Sequence, residues 1–226
     1  HLSGYMGVRY DITDLVQYGD WNTLVVRVDA TEYEGWFYEG GGIYRHVWLE
    51  KTDRLRVAPH GAFVRCEVDL AGKAPCVTAV LKTTIRNDYD APRVCKLLSA
   101  VEDPKGKVVA KVESDVTVGA LESCEVTQTV AIPDPALWSL ESPGLYTLVS
   151  AVCQAGFTRD ECRNSFGIRK TQFDPDRGFL LNDKPVKLQG VCCHQDHAGV
   201  GSALPDRLQD FRIARLKEMG CNAYRS

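Results

Sequence analysis

Residues 186–226 read VKLQGVCCHQDHAGVGSALPDRLQDFRIARLKEMGCNAYRS, and this stretch decides how the rest of the chain is read. Val186, Leu188 and Val191 among small neighbours fit a strand covered on both faces, where strict alternation is not required. The strand runs into a polar cluster, His194, Gln195, Asp196 and His197, and then a glycine-containing loop, AGVGSA. Pro205 and Asp206 suit a helix start, because proline loses nothing in the first turn and a carboxylate there meets the positive end of the dipole. Leu208, Phe211, Leu216 and Met219 fall on one helical face, and Gly220 is placed to stop the helix near Met219. A second strand opens at Cys221 to Tyr224, with Arg225 where it would emerge. A strand–helix–strand unit with polar residues at the carboxyl ends of both strands is the way an α/β barrel assembles a site.

Immediately upstream, GFLLNDKPVKLQG (178–190) reads as a hairpin with Asn182 and Asp183 at its turn. Residues 53–170 form a series of short strands broken by turn residues. AFVRCEVDL, CVTAVLKTTIRN, RVCKLLSAVED, KVVAKVESDV, CEVTQTVAI, LYTLVSAVC and RNSFGI have the spacing of a β-sandwich with an immunoglobulin-like strand count. Pro133 to Tyr146 is a proline-broken connection in which Trp138 is available as a packing anchor. Residues 1–52 also read as β, with strands in VRYDITDLV and TLVVRVDA, a polar turn at QYGDWN, and another strand at the end of EGWFYEGGGIYRHVWL. The fold class expected is therefore mainly β. It consists of a partial jelly roll over 1–52, an immunoglobulin-like sandwich over 53–170, and the first βα unit of a truncated (β/α)8 barrel over 171–226. One strand, one helix and the start of a second strand cannot close a barrel of eight, and three strands are too few for a β domain of their own.

A chain of 226 residues with net charge −3 is long enough to bury a core and carries no basic excess that would suggest nucleic acid. No apolar run is long enough to cross a membrane as a helix. The nine cysteines have no C-x-x-C pair and no regular spacing. They read as reduced thiols packed as small hydrophobes, which favours a reducing, cytoplasmic compartment. Cys66 and Cys153 could form the inter-sheet bridge of true immunoglobulin domains, but Cys76, Cys95 and Cys124 compete equally, and no bridge is expected.

Four segments carry a resemblance. GGGIYRHVWL (40–49) is similar to the S-G-I-Y-R-x-V-W-L signature of glycoside hydrolase family 2, and YDITDL (10–15) to its F-D-I-T-D-L strand. GFLLNDKPVKLQGV (178–191) resembles its entry into the catalytic barrel. KEMGCNAYRS (217–226) resembles K-x-M-G-x-N-A-I-R-x-S-H-N-P, cut before the histidine. The order of the four, over nearly the whole chain, most resembles β-galactosidases. The resemblance implies retaining hydrolysis of terminal β-galactosides by two glutamates, an acid/base and a nucleophile, about 5–5.5 Å apart. Both would lie beyond Ser226, so the chain alone is expected to be inactive. A β-glucuronidase or β-mannosidase parent, or a carbohydrate-binding scaffold protein, is the alternative.

What the resemblance carries to single residues is short. His194 matches a histidine that borders the sugar site at the end of the first barrel strand. Arg225 matches the arginine that supports the nucleophile, a task suited to its rigid fork of donors. Asp196 and His197 are further substrate-binding candidates, although loop polar groups without a role have the same appearance. His194 and His197 as a metal pair would need a turn to converge, because positions three apart on a strand face opposite ways, and no metal site is expected here. No cofactor is legible, and the resemblance implies Mg²⁺ or Na⁺ and homo-oligomers only for an intact parent. The expected partner is carbohydrate, without nucleic acid or membrane. Some relatives place an aspartate of the jelly roll in the sugar site, but the corresponding residue here is Trp36. Neither Glu34 nor Glu39 is assigned in its stead. Trp36, Phe37, Tyr38 and Tyr44 read as a packing seam between domains rather than a sugar platform.

Overall fold

A computed structural model describes residues 6–29, 31 and 42–225. The chain divides into two compact units. One holds the described residues up to His46 together with His194–Gln209, and the other holds Val47–Cys193 and the residues from Asp210 onward.

The larger unit contains the sandwich. Its strands are β1 (Leu55–Asp69), β2 (Cys76–Asn87), β3 (Arg93–Glu102), β4 (Val108–Val118), β5 (Ser123–Ile132), β6 (Tyr146–Gln154) and β7 (Phe157–Phe166). They form antiparallel sheets in the orders β1-β2-β5 and β4-β3-β6-β7. The count matches the sequence reading, with two strands longer than expected. β1 begins seven residues before Ala62, because Leu55 to Val57 pair with β2 ahead of a bulge between Val57 and Ala62. His60 in that bulge has φ 54°, which supplies the extra twist a bulge introduces. β7 begins at Phe157, across a two-residue turn made by Ala155 (φ 52°) and Gly156 (φ 80°). Positive φ at both turn residues matches the right-handed twist of a hairpin.

Alternation drives the burial. Val77, Ala79, Leu81, Thr83, Ile85 and Asn87 of β2 face inward, as do Tyr146, Leu148, Ser150 and Val152 of β6. Burying a Val, Leu or Ile side chain among them contributes roughly 1.5–3 kcal/mol, and the two inner faces together make the core.

Two polar clamps hold the ends of the strands. Asn87, fully buried, donates through Nδ2 to the carbonyls of Ala91 (3.0 Å), Val118 (3.3 Å) and Gly119 (2.8 Å). Its Oδ1 accepts from Tyr89 N at 3.0 Å. One amide thereby joins the β2–β3 turn to the end of β4. Tyr146, at the start of β6, accepts from Ala136 N at 2.8 Å, the tyrosine-corner arrangement of immunoglobulin-like sandwiches. Beside Asn87, Asp88 is paired with Arg86 and Arg56. Partial burial pushes its pKa up, but the two guanidiniums outweigh that and hold the carboxyl below its ordinary value.

Trp138 anchors the β5–β6 connection as expected. Its main-chain N–H donates to Ile168 O at 2.7 Å, and a Cβ on Gly167 would come within 3.2 Å of its ring. Arg169 lies 5.1 Å from the ring centroid. The hairpin that follows consists of β8 (Thr171–Asp174), β9 (Gly178–Leu181) and β10 (Lys184–Pro185). Asn182 (φ 51°) and Asp183 (φ 62°) form its turn, and Asn182 Nδ2 reaches back to Trp138 O at 3.0 Å.

All nine cysteines are free. Burial pushes the Cys66 thiol up to about 11, so it packs as an apolar group, and no immunoglobulin-type bridge forms.

The strands expected before Leu55 do not form among the described residues. YDITDL makes a turn instead. Asp11 Oδ1 accepts from Thr13 N (2.9 Å) and Thr13 Oγ1 (2.6 Å), and Leu15 N donates to Ile12 O at 2.9 Å. The polar turn at QYGDWN is present, closed by Asn22 against both the N–H and the carbonyl of Gln17. TLVVRVDA and RHVWL stay exposed, Val25 at 82% and Leu49 at 83%. A strand needs a neighbouring strand for its main-chain groups, and among the described residues these segments belong to no sheet. Trp36, Phe37, Tyr38, Glu34 and Glu39 lie outside the described residues.

Asn87→Ala is expected to lower unfolding free energy by about 2 kcal/mol or more, because three carbonyls lose their donor. Tyr146→Phe, which removes a single hydrogen bond, should cost about 1 kcal/mol. Urea denaturation of the purified chain measures both, and equal effects would contradict the clamp assigned to Asn87.

Candidate active-site edge

After the hairpin the chain forms β11 (Gly190–Cys192), α1 (Asp206–Glu218) and β12 (Ala223–Arg225). β11 and β12 are parallel, with Gly190 opposite Ala223, Val191 opposite Tyr224 and Cys192 opposite Arg225. Parallel strands require a crossover, here carrying a helix, and their carboxyl ends meet at one edge. The strand–helix–strand reading therefore holds, with β11 shorter than the expected Val186–Val191.

Glycine and asparagine make this short pairing possible. A Cβ on Gly190 would lie 2.3 Å from Ala223 O, so only glycine allows the approach. Asn222 extends the pair beyond its three main-chain rungs. Its Oδ1 accepts from Gln189 N at 2.8 Å and its Nδ2 donates to Lys187 O at 3.0 Å, while its own N–H donates to Gln189 O at 2.8 Å. The reading of the sequence gave Asn222 no part. An amide that can both donate and accept, just after a helix-ending glycine, was the available signal.

α1 begins at Asp206, where Leu208 N donates to Pro205 O at 2.9 Å. It ends in a Schellman pattern. Cys221 N reaches Leu216 O at 3.0 Å, and Gly220 N reaches Lys217 O at 3.0 Å, with Gly220 at φ 85°. Leu208 and Leu216 are half-buried, whereas Phe211 and Met219 of the expected apolar face are exposed.

Arg225 ends β12. Its Nη1 donates to Cys192 Sγ at 3.4 Å, and this contact raises a pKa that is already high. The guanidinium is thus a permanent cation at the carboxyl edge of the pair, able to hold an anionic group. Cys193, next along the chain, donates its N–H to Arg225 O at 2.9 Å.

His194, Asp196 and His197 belong to the other unit. His194 is exposed, and Asp196 and His197 are half-buried. His197 and Gly201 exchange main-chain hydrogen bonds of 3.0 Å in each direction, closing a tight turn, and His197 Nδ1 lies 2.9 Å from Ala198 O. In the same unit His46 Nε2 meets Asp206 Oδ2 at 3.3 Å. Tyr44 has Arg45 stacked 5.1 Å from its ring centroid. Among the described residues no three His, Cys, Asp or Glu side chains gather as a metal site. No helix of the described residues is long and apolar enough to cross a membrane.

The sequence pattern of glycosyl hydrolases family 2 matches residues 63–169, the greater part of the sandwich. This sandwich segment belongs to that family. A β-galactosidase of Bacteroides ovatus is 34% identical over 98% of this chain, which spans 26% of that protein. A β-glucuronidase of Formosa agariphila is 28% identical over 99% of this chain and 25% of its own length. Among solved structures, a family 2 member from Bacteroides cellulosilyticus superposes with a TM-score of 0.77 at 33% identity, over 83% of this chain and 25% of that one. A β-glucuronidase of Bacteroides uniformis superposes with a TM-score of 0.75 at 28% identity, over 82% and 23%. The chain thus spans about a quarter of the length of the relatives it matches.

Gly190→Ala should separate β11 from β12 and lower stability by about 1–3 kcal/mol. The loss should be confined to these strands, seen as faster amide exchange at Val191 and Tyr224 with the sandwich amides unchanged. Unaltered exchange at both would refute the close approach.

Proposed function

We propose that this chain is the part of a retaining glycoside hydrolase that leads from its β domains into its catalytic barrel, and that the parent cleaves terminal β-galactosides. The observation that carries the reading is the parallel β11–β12 pair, with a permanently cationic Arg225 in register at its carboxyl edge. In this reading residues 1–52 belong to a sugar-binding jelly roll, 53–170 are the sandwich and 171–226 open the barrel.

Arg225 would hold the nucleophilic carboxylate ionised and oriented, since a guanidinium offers two parallel donors to a carboxylate. His194, Asp196 and His197 would border the sugar, where an imidazole and a carboxylate can bond its hydroxyls. Both glutamates of the reaction would come from chain beyond these residues, so the 226-residue chain is inactive alone. Its unpaired thiols fit a reducing compartment.

A second reading, a β-glucuronidase parent, is favoured by the relatives and solved structures that carry that name. The two differ in the group at sugar carbon 6, a hydroxyl in one case and a carboxylate in the other.

The test compares 4-nitrophenyl β-galactoside with the β-glucuronide on the intact parent and on the purified 226-residue chain. The parent should show the higher kcat/KM on the galactoside, and the chain no turnover on either. Arg225→Ala in the parent should lower kcat by roughly 100-fold or more. Hydrolysis by the chain alone would overturn the assignment, and preference for the glucuronide would install the second reading.

A further inference from the structure

Across the middle of the sandwich the inward-facing row is polar. Thr83 of β2, Ser99 of β3, Gln128 of β5 and Ser150 of β6 are 0%, 2%, 5% and 0% exposed, and Ser114 of β4 is half-buried beside them. On each of these five strands the polar residue separates two apolar clusters. One cluster includes Leu81, Val101 and Leu148, and the other Ile85, Leu97 and Val152. Ser99 lies opposite Ser150, whereas Ser114 and Gln128 are offset from their neighbours in the row by two residues and stand opposite Leu97 and Leu81, so the row runs obliquely across the strands.

The hydrogen bonds within the row do not close. Thr83 Oγ1 and Ser150 Oγ are 3.4 Å apart. Gln128 Nε2 donates to Ser114 Oγ at 3.0 Å and Leu97 O at 3.4 Å, reaching across from one sheet to the other. Ser99 Oγ and Gln128 Oε1 have no partner among the described residues. Turning the Gln128 amide over does not help, because its oxygen would then face the Leu97 carbonyl, acceptor against acceptor. Leaving two such atoms unpaired in a core costs about 1–3 kcal/mol each, and five strands share the row, so the polarity is a built feature.

We propose that this row is an internal hydration site in which an ordered water donates to Gln128 Oε1 and exchanges a hydrogen bond with Ser99 Oγ. The ligand must be small, since the row is almost closed to solvent. It must also be neutral, since the residues of the row carry no charge, and it must be able both to donate and to accept. Water meets all three conditions, and buried waters typically satisfy such otherwise unpaired groups. The bound water ties the two sheets together where apolar contact between them is interrupted.

A crystal structure of the 226-residue chain, at a resolution that shows ordered water, is expected to contain density within hydrogen-bonding distance of both atoms. Oxygen-17 relaxation dispersion on the same chain counts long-lived waters in solution. The Ser99→Ala/Gln128→Leu variant should hold one fewer than the wild type. Absence of that density, a direct Ser99–Gln128 hydrogen bond, or an unchanged water count would overturn the proposal. If the double variant does not fold, the wild-type density decides alone.

Discussion

Main-chain groups in a strand need a neighbouring strand, and the availability of neighbours sorts this whole chain. From Leu55 to Phe166 each strand finds one or two antiparallel partners, and on the central strands β2, β3 and β6 alternation then buries every second side chain over most of their length. Segments before Leu55 carry equally strand-like composition but join no sheet among the described residues, and they remain turns and extended chain. Between these extremes lies the β11–β12 pair, which has only three rungs and no hairpin turn to set its register.

That short pair has to be held by other means, and the means are specific. Gly190 removes the one Cβ that would block approach, and Asn222 adds hydrogen bonds where the ladder has ended. The glycine that terminates α1 turns the chain back toward β12. Arg225 owes its place in register with Cys192 to these three residues rather than to burial, since it is itself exposed. A cation whose position is set by main-chain pairing is pre-organised without an apolar pocket around it.

Much of this was legible in the sequence because it depends on local chemistry. Asn182 and Asp183 both tolerate the left-handed region, so their turn could be read from residue type alone. Pro205, Asp206 and Gly220 likewise marked the ends of the helix. Spacing and the turn residues between them set off CVTAVLKTTIRN and LYTLVSAVC as sandwich strands, and their burial alternates along the strand. What was missed depends on distant partners. Leu55 to Val57 are too few to stand out until β2 is known to lie beside them. The clamp by Asn87 joins residues up to 32 positions apart, and no spacing rule marks it. YDITDL was read as part of a strand, yet Asp11 and Thr13 close a local turn when no neighbouring strand competes for their main chain. His194, Asp196 and His197 were picked out by resemblance and by their place after a strand, and the structure adds the His197–Gly201 turn that shapes their loop.

The position of Arg225 depends on the direction of one strand pair. Inter-strand nuclear Overhauser contacts in isotopically labelled chain test it directly, between Hα and amide protons of Gly190 to Cys192 and those of Ala223 to Arg225. The predicted result is the staggered, evenly slanted pattern of parallel strands, with Val191 beside Tyr224. Close Hα–Hα contacts of an antiparallel pair, or contacts joining this segment to a sandwich strand, would contradict it.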